Sequence, residues 1–462
     1  MRAALLWFKQ DLRLDDNPAL QAALDSDSLL PVYILDPRLL RPDRNQRCAQ
    51  GVLRTQWLLQ ALHALDNALR QRGSALLVMQ GEPEHVIASL AARLDIRDVH
   101  TQDEISPQAI SQLRRTRTNL GPIALHVHPA NSLLNAAQQN EVLNLPAVFS
   151  AFREYCARQS LSCQPRPAPI HLPSWPAGCE HLHEPLPTLA DLGLSDPLTG
   201  PDLQAGEAAA QMHLREQFWA DGEPAATRLE SEQGTLLSPY VASGCLSVRR
   251  VASELRRHEG RNGRSVASQR LWQNLLWREF YRATLMRYAE TLFATQGLNA
   301  TAQAPTTCDE RFVSWCNGRT GMPFVDAAMR ELLARGVLQR SARQVAAAYL
   351  VHDLKQDWCR GAAWFAEHLI DYDEASNWGN WAFLAGASCS GRHQAALNTL
   401  RLAKLYDPMA HYISQWVPEL RSVSSRLRHT PFLLPRTRLQ QLRYPLLQNM
   451  PEAWRPYLPG LA

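Results

Sequence analysis

Asp371-Tyr-Asp-Glu-Ala-Ser-Asn-Trp-Gly-Asn-Trp381 is the stretch around which the second half of this chain is organised. In a helix, Asp373, Asn377 and Trp381 are four residues apart and share one face. A carboxylate, an amide and an indole make a poor core stripe, but they suit the wall of a site for a flat, polar, redox-active ligand. A surface helix anchored by two tryptophans explains the same pattern, and this segment alone does not choose between the two.

The bulk composition is typical of a globular protein with two or three domains. The chain has 462 residues, of which 45% are hydrophobic and 20% charged. It has no run of about 18 apolar residues and no signal peptide, so we expect a cytoplasmic protein without a membrane partner. The nine cysteines are dispersed without metal-ligand spacing, so we expect free thiols and no metal.

Strand-like and helix-like segments alternate over residues 1–128. The predicted strands are 3–8, 30–35, 75–79, 98–101 and 123–127. The alternation predicts an α/β domain with a parallel five-stranded sheet and helices on both faces. Neither of the common glycine-rich phosphate-binding motifs is present, so no motif supports nucleotide binding in this domain.

The remainder of the chain changes character three times. Residues 129–204 are rich in proline and predict an interdomain linker, with one helix over 147–159. Residues 205–425 show helical periodicity throughout and predict an all-α domain. Residues 426–462 are rich in Pro and Arg and predict a C-terminal extension with short ordered pieces.

Two features of the helical part are candidates for binding anions. The turn Thr235-Leu-Leu-Ser238 presents backbone N–H groups and two hydroxyls at a helix N-terminus, an arrangement that binds phosphate. An ordinary capped helix explains the same residues. The segment 391–440 carries eight Arg or Lys against Asp407 and Glu419, which predicts an anion-binding surface or a solvated basic face.

Charged and aromatic side chains supply further candidates. Arg343 and Asp371 are candidates for an ion pair beside a cofactor, although most such residues are solvated. Trp358 and Trp381 are candidates for an electron relay to a flavin, and aromatic core packing is the alternative. Three more candidates lie within about one helical turn: Asn274, Trp277 and Arg278.

Six motifs resemble the photolyase/cryptochrome family, in the same order and spacing. They are 7–18, 237–247, 276–281, 318–332, 371–381 and 406–420. In detail the chain is most similar to DASH-type cryptochromes. The resemblance implies an N-terminal α/β antenna domain and an all-helical domain that holds a U-shaped FAD. It also implies blue-light chemistry, in which tryptophans reduce the flavin. In repair enzymes of the family, the reduced flavin passes an electron to a cyclobutane pyrimidine dimer flipped out of DNA.

The resemblance assigns a role to each candidate residue by its position in these motifs. The residues assigned to FAD are Thr235, Leu236, Leu237, Ser238, Asn274, Arg278, Arg343, Asp371, Asp373 and Asn377, the last at flavin N5. The residues assigned to catalysis are Trp381 and Trp358, as proximal and middle relay members, with Asn274 and Trp277. The resemblance places Trp277, Arg340, Ser341 and Phe383 on the DNA side, and the basic segment 391–440 adds Arg392, Arg401 and Lys404 as DNA contacts.

Four positions depart from the pattern of the repair enzymes. Asn274 stands where those enzymes usually carry Glu, and an amide has no carboxyl proton to donate. Arg340 and Ser341 replace an Asn-Arg pair on the substrate side. Phe383 replaces a Trp or Tyr, so it can stack but lacks a polar group.

Two further departures concern the relay and the antenna. The third relay tryptophan is expected near Pro305, and Trp315 and Trp364 are the alternatives. The sequence around Glu104 matches poorly the acidic residues that hold a folate antenna. FAD is therefore better supported than a folate.

We therefore expect a monomeric, DASH-like, FAD-dependent blue-light flavoprotein that binds single-stranded or looped DNA. One hypothesis makes it a deoxyribodipyrimidine photolyase. The other makes it a photoreceptor that signals through flavin redox state without repair. Trp277 and the basic segment favour DNA contact, whereas Asn274, Ser341 and Phe383 favour lost or altered repair. A six-four photoproduct enzyme would need a His pair near 340–344, which is absent.

Overall fold

The structure is a computed structural model of the chain. It describes residues 2–42, 48–129, 131–161, 163–182, 184–197, 199–219, 236–298, 308–388 and 397–458. The chain divides into two compact units. Unit 1 comprises Met1–Pro197, Asp202–Ala289 and Ile370–Ser376, and unit 2 comprises Leu198–Pro201, Glu290–Leu369 and Asn377–Ala462. The segment boundaries predicted from the sequence, at 128, 204 and 425, stay predictions.

Unit 1 contains a five-stranded sheet. Its strands are β1 (Ala3–Phe8), β2 (Ser28–Leu35), β3 (Leu77–Gln80), β4 (Ile96–Gln102) and β5 (Ala124–His128). All neighbouring pairs are parallel, in the order β3-β2-β1-β4-β5. The predicted sheet is therefore confirmed, with strand ends displaced by up to two residues.

Helices cover both faces of this sheet, so β1 is buried on both sides. Ala3, Leu5 and Trp7 point towards α3 (Pro83–Arg93) and α4 (Pro107–Leu120), where they join an apolar cluster of unit 1. The alternate residues of β1 are also buried, and α1 (Pro18–Ala23) packs against β1 and β4. An all-apolar strand of this kind is what a doubly covered parallel sheet requires.

Unit 1 contains seven further α-helices among its described residues. They are α2 (Val52–Arg70), α5 (Ala136–Val142), α6 (Phe149–Arg158), α7 (Glu207–Trp219), α8 (Ser238–Ser243), α9 (Val248–Asn262) and α10 (Val266–Tyr288). The sequence predicted α6 but missed α5. A capping box between Asn135 and Gln138 starts α5 and was its available signal.

Among its described residues, unit 2 contains helices and no strand. Its helices are α11 (Asp309–Cys316), α12 (Pro323–Arg335), α13 (Arg340–Ala348), α14 (Trp358–His368), α16 (Thr399–Tyr406), α17 (His411–Trp416), α18 (Ser425–Arg428) and α19 (Arg436–Leu442). A π-helical turn, Tyr349–Asp353, follows α13 directly. Between them runs α15 (Glu374–Leu384), which begins in unit 1 and continues in unit 2. The predicted all-α second half is confirmed.

A buried carboxylate fixes the start of α12. Asp326 accepts hydrogen bonds from the backbone and hydroxyl of Thr320, both at 2.7 Å, and from Tyr444 Oη at 2.6 Å. Burial raises the pKa of Asp326 above its ordinary value, and these donors oppose the rise.

Among the helices described, none is long and apolar enough to cross a membrane.

Candidate functional site

The first half of the candidate site is a contact between two motifs far apart in sequence. Ser238 Oγ, at the start of α8, donates a hydrogen bond of 2.7 Å to Asp371 Oδ2, although 133 positions separate them. Leu236, just before this helix, has φ of +47°, a left-handed conformation that non-glycine residues rarely adopt. Leu237 is its N-cap residue. Thr235 lies outside the described residues.

An ion pair in the same unit joins α10 to the Asp-Tyr-Asp segment. Arg278, on α10, places Nη2 at 3.7 Å from Asp373 Oδ2, and its Nη1 donates to the carbonyl of Asn131 at 2.8 Å. Ser376 N donates to Asp373 Oδ1 at 2.8 Å, so Asp373 also caps α15. Burial acts to raise the pKa of Asp373, but Arg278 and Ser376 outweigh it and lower that pKa. Asp373 is therefore held as a carboxylate.

Trp277 is a half-buried indole one residue before Arg278. Phe149 stacks face to face on it, with ring centroids 3.7 Å apart and planes within 6°. Phe280 and Tyr281 approach it at 5.6 and 5.4 Å between centroids. One face of Trp277 is taken by Phe149, so any base would have to stack on the opposite face. Asn274 is exposed and lies one turn earlier on α10.

A second set of charged residues in unit 1 was not predicted from the sequence. It lies around Tyr372, the tyrosine of the Asp-Tyr-Asp motif. The Arg54 guanidinium lies 4.6 Å from the centre of the Tyr372 ring. Burial raises the pKa of Glu374 to about 7, opposed mainly by a hydrogen bond with Ser106 and reinforced by Glu104. The acidic residues in 103–104 and 371–374 were the available signal.

Glu104, where the resemblance places a folate contact, is engaged with a basic residue. Lys9 Nζ lies 3.2 Å from Glu104 Oε1 and 4.3 Å from the Trp7 ring centre. These residues follow β4 and β1, the two strands at which the strand order of the sheet reverses.

In unit 2, α15 packs against α14 through a glycine. A Cβ on Gly361 would lie 2.4 Å from the Trp381 ring and 2.6 Å from Leu350, so only glycine lets the ring approach this closely. Asn377 Nδ2 donates to the carbonyl of Ala362 at 3.0 Å. Trp381 is 3% exposed. The amide and the indole predicted to face a ligand are thus anchored to the same neighbouring helix.

Trp358, the other predicted relay residue, begins α14 and is 4% exposed. Its Nε1 donates to the carbonyl of Thr295 at 2.8 Å. Trp378 meets it edge to face, with centroids 5.7 Å apart. Trp381 in turn meets Trp315 edge to face at 6.2 Å. The sequence analysis did not single out Trp378, although its position three residues before Trp381 was visible.

The described residues of unit 2 that were predicted to contact DNA lie on three helices, α13, α15 and α16. Arg340 is exposed and Ser341 half-buried at the start of α13, and Phe383 is half-buried near the end of α15. Arg401 is exposed on α16. Burial lowers the pKa of Lys404, whose Nζ donates to the carbonyl of Tyr457 at 2.6 Å. In the same unit, Arg343 Nε donates to the carbonyl of Leu338 at 2.9 Å, and Arg392 lies outside the described residues.

The donor set of each unit, taken by itself, suits a flavin nucleotide. Unit 1 offers a helix start, a hydroxyl, two carboxylates and a guanidinium, which are groups that bind phosphate, ribose and the polar edge of a ring. Unit 2 offers an amide and several buried indoles, which suit a flat electron acceptor. Asp373, whose pKa is lowered, supplies a charged acceptor rather than a neutral acid.

Comparison with known proteins agrees with this fit. The model for the FAD binding domain of DNA photolyase matches residues 271–454, and that for DNA photolyase matches residues 4–171. A cryptochrome DASH from Gloeobacter violaceus is 33% identical over 452 residues, covering 94% of this chain and 89% of that protein. One from Synechocystis is 31% identical over 456 residues, covering 95% and 92%.

Solved structures show the same architecture. A crystal structure of a Synechocystis cryptochrome aligns with a TM-score of 0.88 at 29% identity, covering 97% of each chain. A class III photolyase from Agrobacterium tumefaciens shares the fold, with a TM-score of 0.83 at 24% identity. The chain therefore belongs to the photolyase/cryptochrome family and is one of its FAD-binding flavoproteins. The similar curated proteins bear the name cryptochrome DASH.

Proposed function

We propose that this chain binds single-stranded or looped DNA and repairs cyclobutane pyrimidine dimers with light. The observation that carries the proposal is the Trp277 indole, backed on one face by Phe149 and set directly before Arg278 on α10. A rigid aromatic platform stacks on an extruded base without reading its sequence. The DNA photolyase model that matches 4–171 supports DNA as the partner.

In this proposal, the residues of unit 1 hold the cofactor and position the lesion. Ser238 would bind the phosphates of FAD, Asp371 would lie along the flavin, and Arg278 with Asp373 would bind its polar ring edge. When bound, FAD supplies light-driven one-electron chemistry. Asn274 would hydrogen-bond the dimer while Trp277 stacks on it. Within unit 2, the family resemblance assigns Arg343 and Asn377 to the cofactor.

The exposed arginines of unit 2 would supply the affinity for the DNA backbone. Among the described residues they include Arg340, Arg401, Arg421, Arg426, Arg436 and Arg438. Phosphate contacts of this kind act through counterion release and weaken as salt rises. Because the net charge of the whole chain is only +4, we expect weak nonspecific binding to duplex DNA and a stronger preference for a distorted or single strand.

The experiment is light-dependent repair of a defined pyrimidine dimer in a single-stranded, a looped and a duplex oligonucleotide. Trp277→Leu should lower affinity for the single strand by the value of one base stack, about 1–3 kcal/mol. Trp272→Leu is the matched control. It makes the same change on α10, but Trp272 packs against Arg256 on another side of the helix. Equal losses in both variants would contradict the stacking role.

Asn274, Ser341 and Phe383 favour a second candidate function, a photoreceptor that signals through its flavin redox state. These three residues replace groups that repair enzymes of the family use on the lesion. A wild-type protein whose flavin is reduced in light, but which neither binds nor repairs the single strand, would establish this candidate over repair. A photoreduced protein that repairs the single strand and spares the duplex would establish the first.

A further inference from the structure

The electron relay of this chain lacks its expected third tryptophan, and the structure offers three indoles in its place. The sequence analysis left Trp315 and Trp364 as alternatives. Trp315 is 0% exposed, and its Nε1 donates to the carbonyl of Ala346 at 3.0 Å. It can exchange an electron with Trp381, but it has no exposed surface at which a soluble donor could refill it.

Trp364 is half-buried but lies on the wrong side of its helix. It follows Trp358 by six residues, which places it about 9 Å along α14 and roughly 240° around its axis. Its ring packs on His368, with centroids 4.1 Å apart. Neither its place on α14 nor its contact with His368 brings the Trp364 ring towards the edge of Trp358 that faces α15.

Trp378 both contacts Trp358 and has exposed surface. It lies three residues before Trp381 on α15, and α15 packs against α14 through Gly361, one turn after Trp358. The Trp378 and Trp358 rings meet edge to face with centroids 5.7 Å apart, which is van der Waals contact for two indoles. Trp378 is partly exposed, whereas Trp358 and Trp381 are buried.

The hydrogen bonding of Trp358 also favours onward transfer. Its N–H is fixed to the carbonyl of Thr295 at 2.8 Å, and a backbone carbonyl is a very weak base. An oxidised Trp358 therefore keeps its proton and remains a strong oxidant of its neighbour. A partly exposed Trp378 can lose its N–H proton to water, which traps the oxidising equivalent at the protein surface.

We propose that Trp378 is the terminal, solvent-facing member of the relay Trp381, Trp358, Trp378. With FAD bound to supply light-driven one-electron chemistry, Trp381 would donate one electron to it, Trp358 would refill Trp381, and Trp378 would refill Trp358. The radical cation left on Trp378 releases its proton to water. A soluble thiol then returns a hydrogen atom to it, and two thiyl radicals combine as a disulfide. The inference rests on FAD binding and is independent of whether DNA is repaired.

The first test compares Trp378→Phe with Trp364→Phe and Trp315→Phe in the FAD-loaded protein. With thiol present, Trp378→Phe should slow photoreduction by about tenfold or more. Its flavin content and resting absorption spectrum should stay unchanged, and Trp364→Phe should keep the wild-type rate. Flash photolysis adds a second readout: the long-lived neutral tryptophan radical, quenched by added thiol, should vanish in Trp378→Phe. A wild-type rate and radical lifetime in Trp378→Phe would overturn the assignment.

The second test uses the unmodified chain and does not depend on any variant folding. The protein is illuminated in air without thiol, and oxidised indoles are located by peptide fragmentation mass spectrometry. Oxidation should concentrate at Trp378 and disappear from it in Trp358→Phe. Oxidation at Trp364 or Trp315 with Trp378 intact would overturn the proposal. A wild-type protein that reduces its flavin through Trp378 but repairs no dimer would contradict the proposed repair and leave this relay standing.

Discussion

Ser238 Oγ donates a 2.7 Å hydrogen bond to Asp371 Oδ2, and this bond joins the helix start at 238 to the Asp-Tyr-Asp segment of unit 1. Asp371 is 7% exposed, so the hydroxyl meets a carboxylate largely removed from water. A hydrogen bond to a charged acceptor in such a position is stronger than one between neutral groups. The bond therefore holds two segments that the family assigns to one cofactor.

Ser238→Ala should weaken FAD retention, because it removes a donor to Asp371 and a hydroxyl assigned to the cofactor. We expect a loss of about 1–2 kcal/mol, which is roughly 5- to 30-fold in the dissociation constant. The measurement is reconstitution of the apoprotein with FAD. Ser243→Ala is the control, because it removes a hydroxyl from the same helix whose Oγ donates to the carbonyls of Pro239 and Tyr240. Equal affinities for the two variants would contradict the role of this bond.

Gly361→Ala should destabilise the protein although alanine is the better helix former. The new Cβ would lie 2.4 Å from the Trp381 ring and 2.6 Å from Leu350, so the overpacked site should lose about 1–3 kcal/mol. Gly260→Ala, on α9 with nothing within 4 Å, should instead gain about 0.4–1 kcal/mol. Thermal unfolding of both variants checks the pair. A stabilised Gly361→Ala would mean that α14 and α15 do not meet at this glycine.

The fold was predictable because its signals are local. The apolar run 3–8 specified β1, and the alternation of strands and helices specified the parallel sheet. The motif at 371–381 located Asn377 and Trp381, which lie on α15, and the two carboxylates that precede this helix. Their partners were not predictable, because the contact between Ser238 and Asp371 depends on how distant segments pack. The neighbours of Trp277 and Trp358, which are Phe149 and Trp378, were missed for the same reason.

Glu374→Gln should remove part of the pH dependence of the free energy of unfolding. Burial raises the pKa of Glu374 to about 7, with Glu104 and Asp373 adding to the rise and Ser106 and Arg54 opposing it. The folded state therefore prefers the protonated acid. The stabilisation is fully present below the ordinary glutamate pKa and is lost as pH rises through about 7. The uncharged glutamine removes this loss.

The measurement is the free energy of unfolding in denaturant at several pH values between 5 and 8. The advantage of Glu374→Gln over the wild type should grow across this range and reach about 1–3 kcal/mol at the alkaline end. Glu84→Gln is the opposite control. Its pKa is lowered to about 2, where the hydrogen bonds from Arg38 and Arg115 outweigh burial, so that variant should be less stable than the wild type throughout. A pH-independent difference for Glu374→Gln would contradict the raised pKa.

Asn274→Glu should raise the rate of dimer repair, because it restores a carboxyl group that repair enzymes of the family place on the lesion. Asn274 is exposed on α10, one turn before the Trp277 platform, so a longer acidic side chain can be accommodated. A positioned acid should increase turnover under blue light by about tenfold or more. Gln269→Glu adds the same charge two turns before Trp277 on that helix and controls for electrostatics alone. Repair of a dimer in a single-stranded oligonucleotide is the measurement. Unchanged turnover, or an equal rise in the control, would show that the residue at 274 does not limit repair.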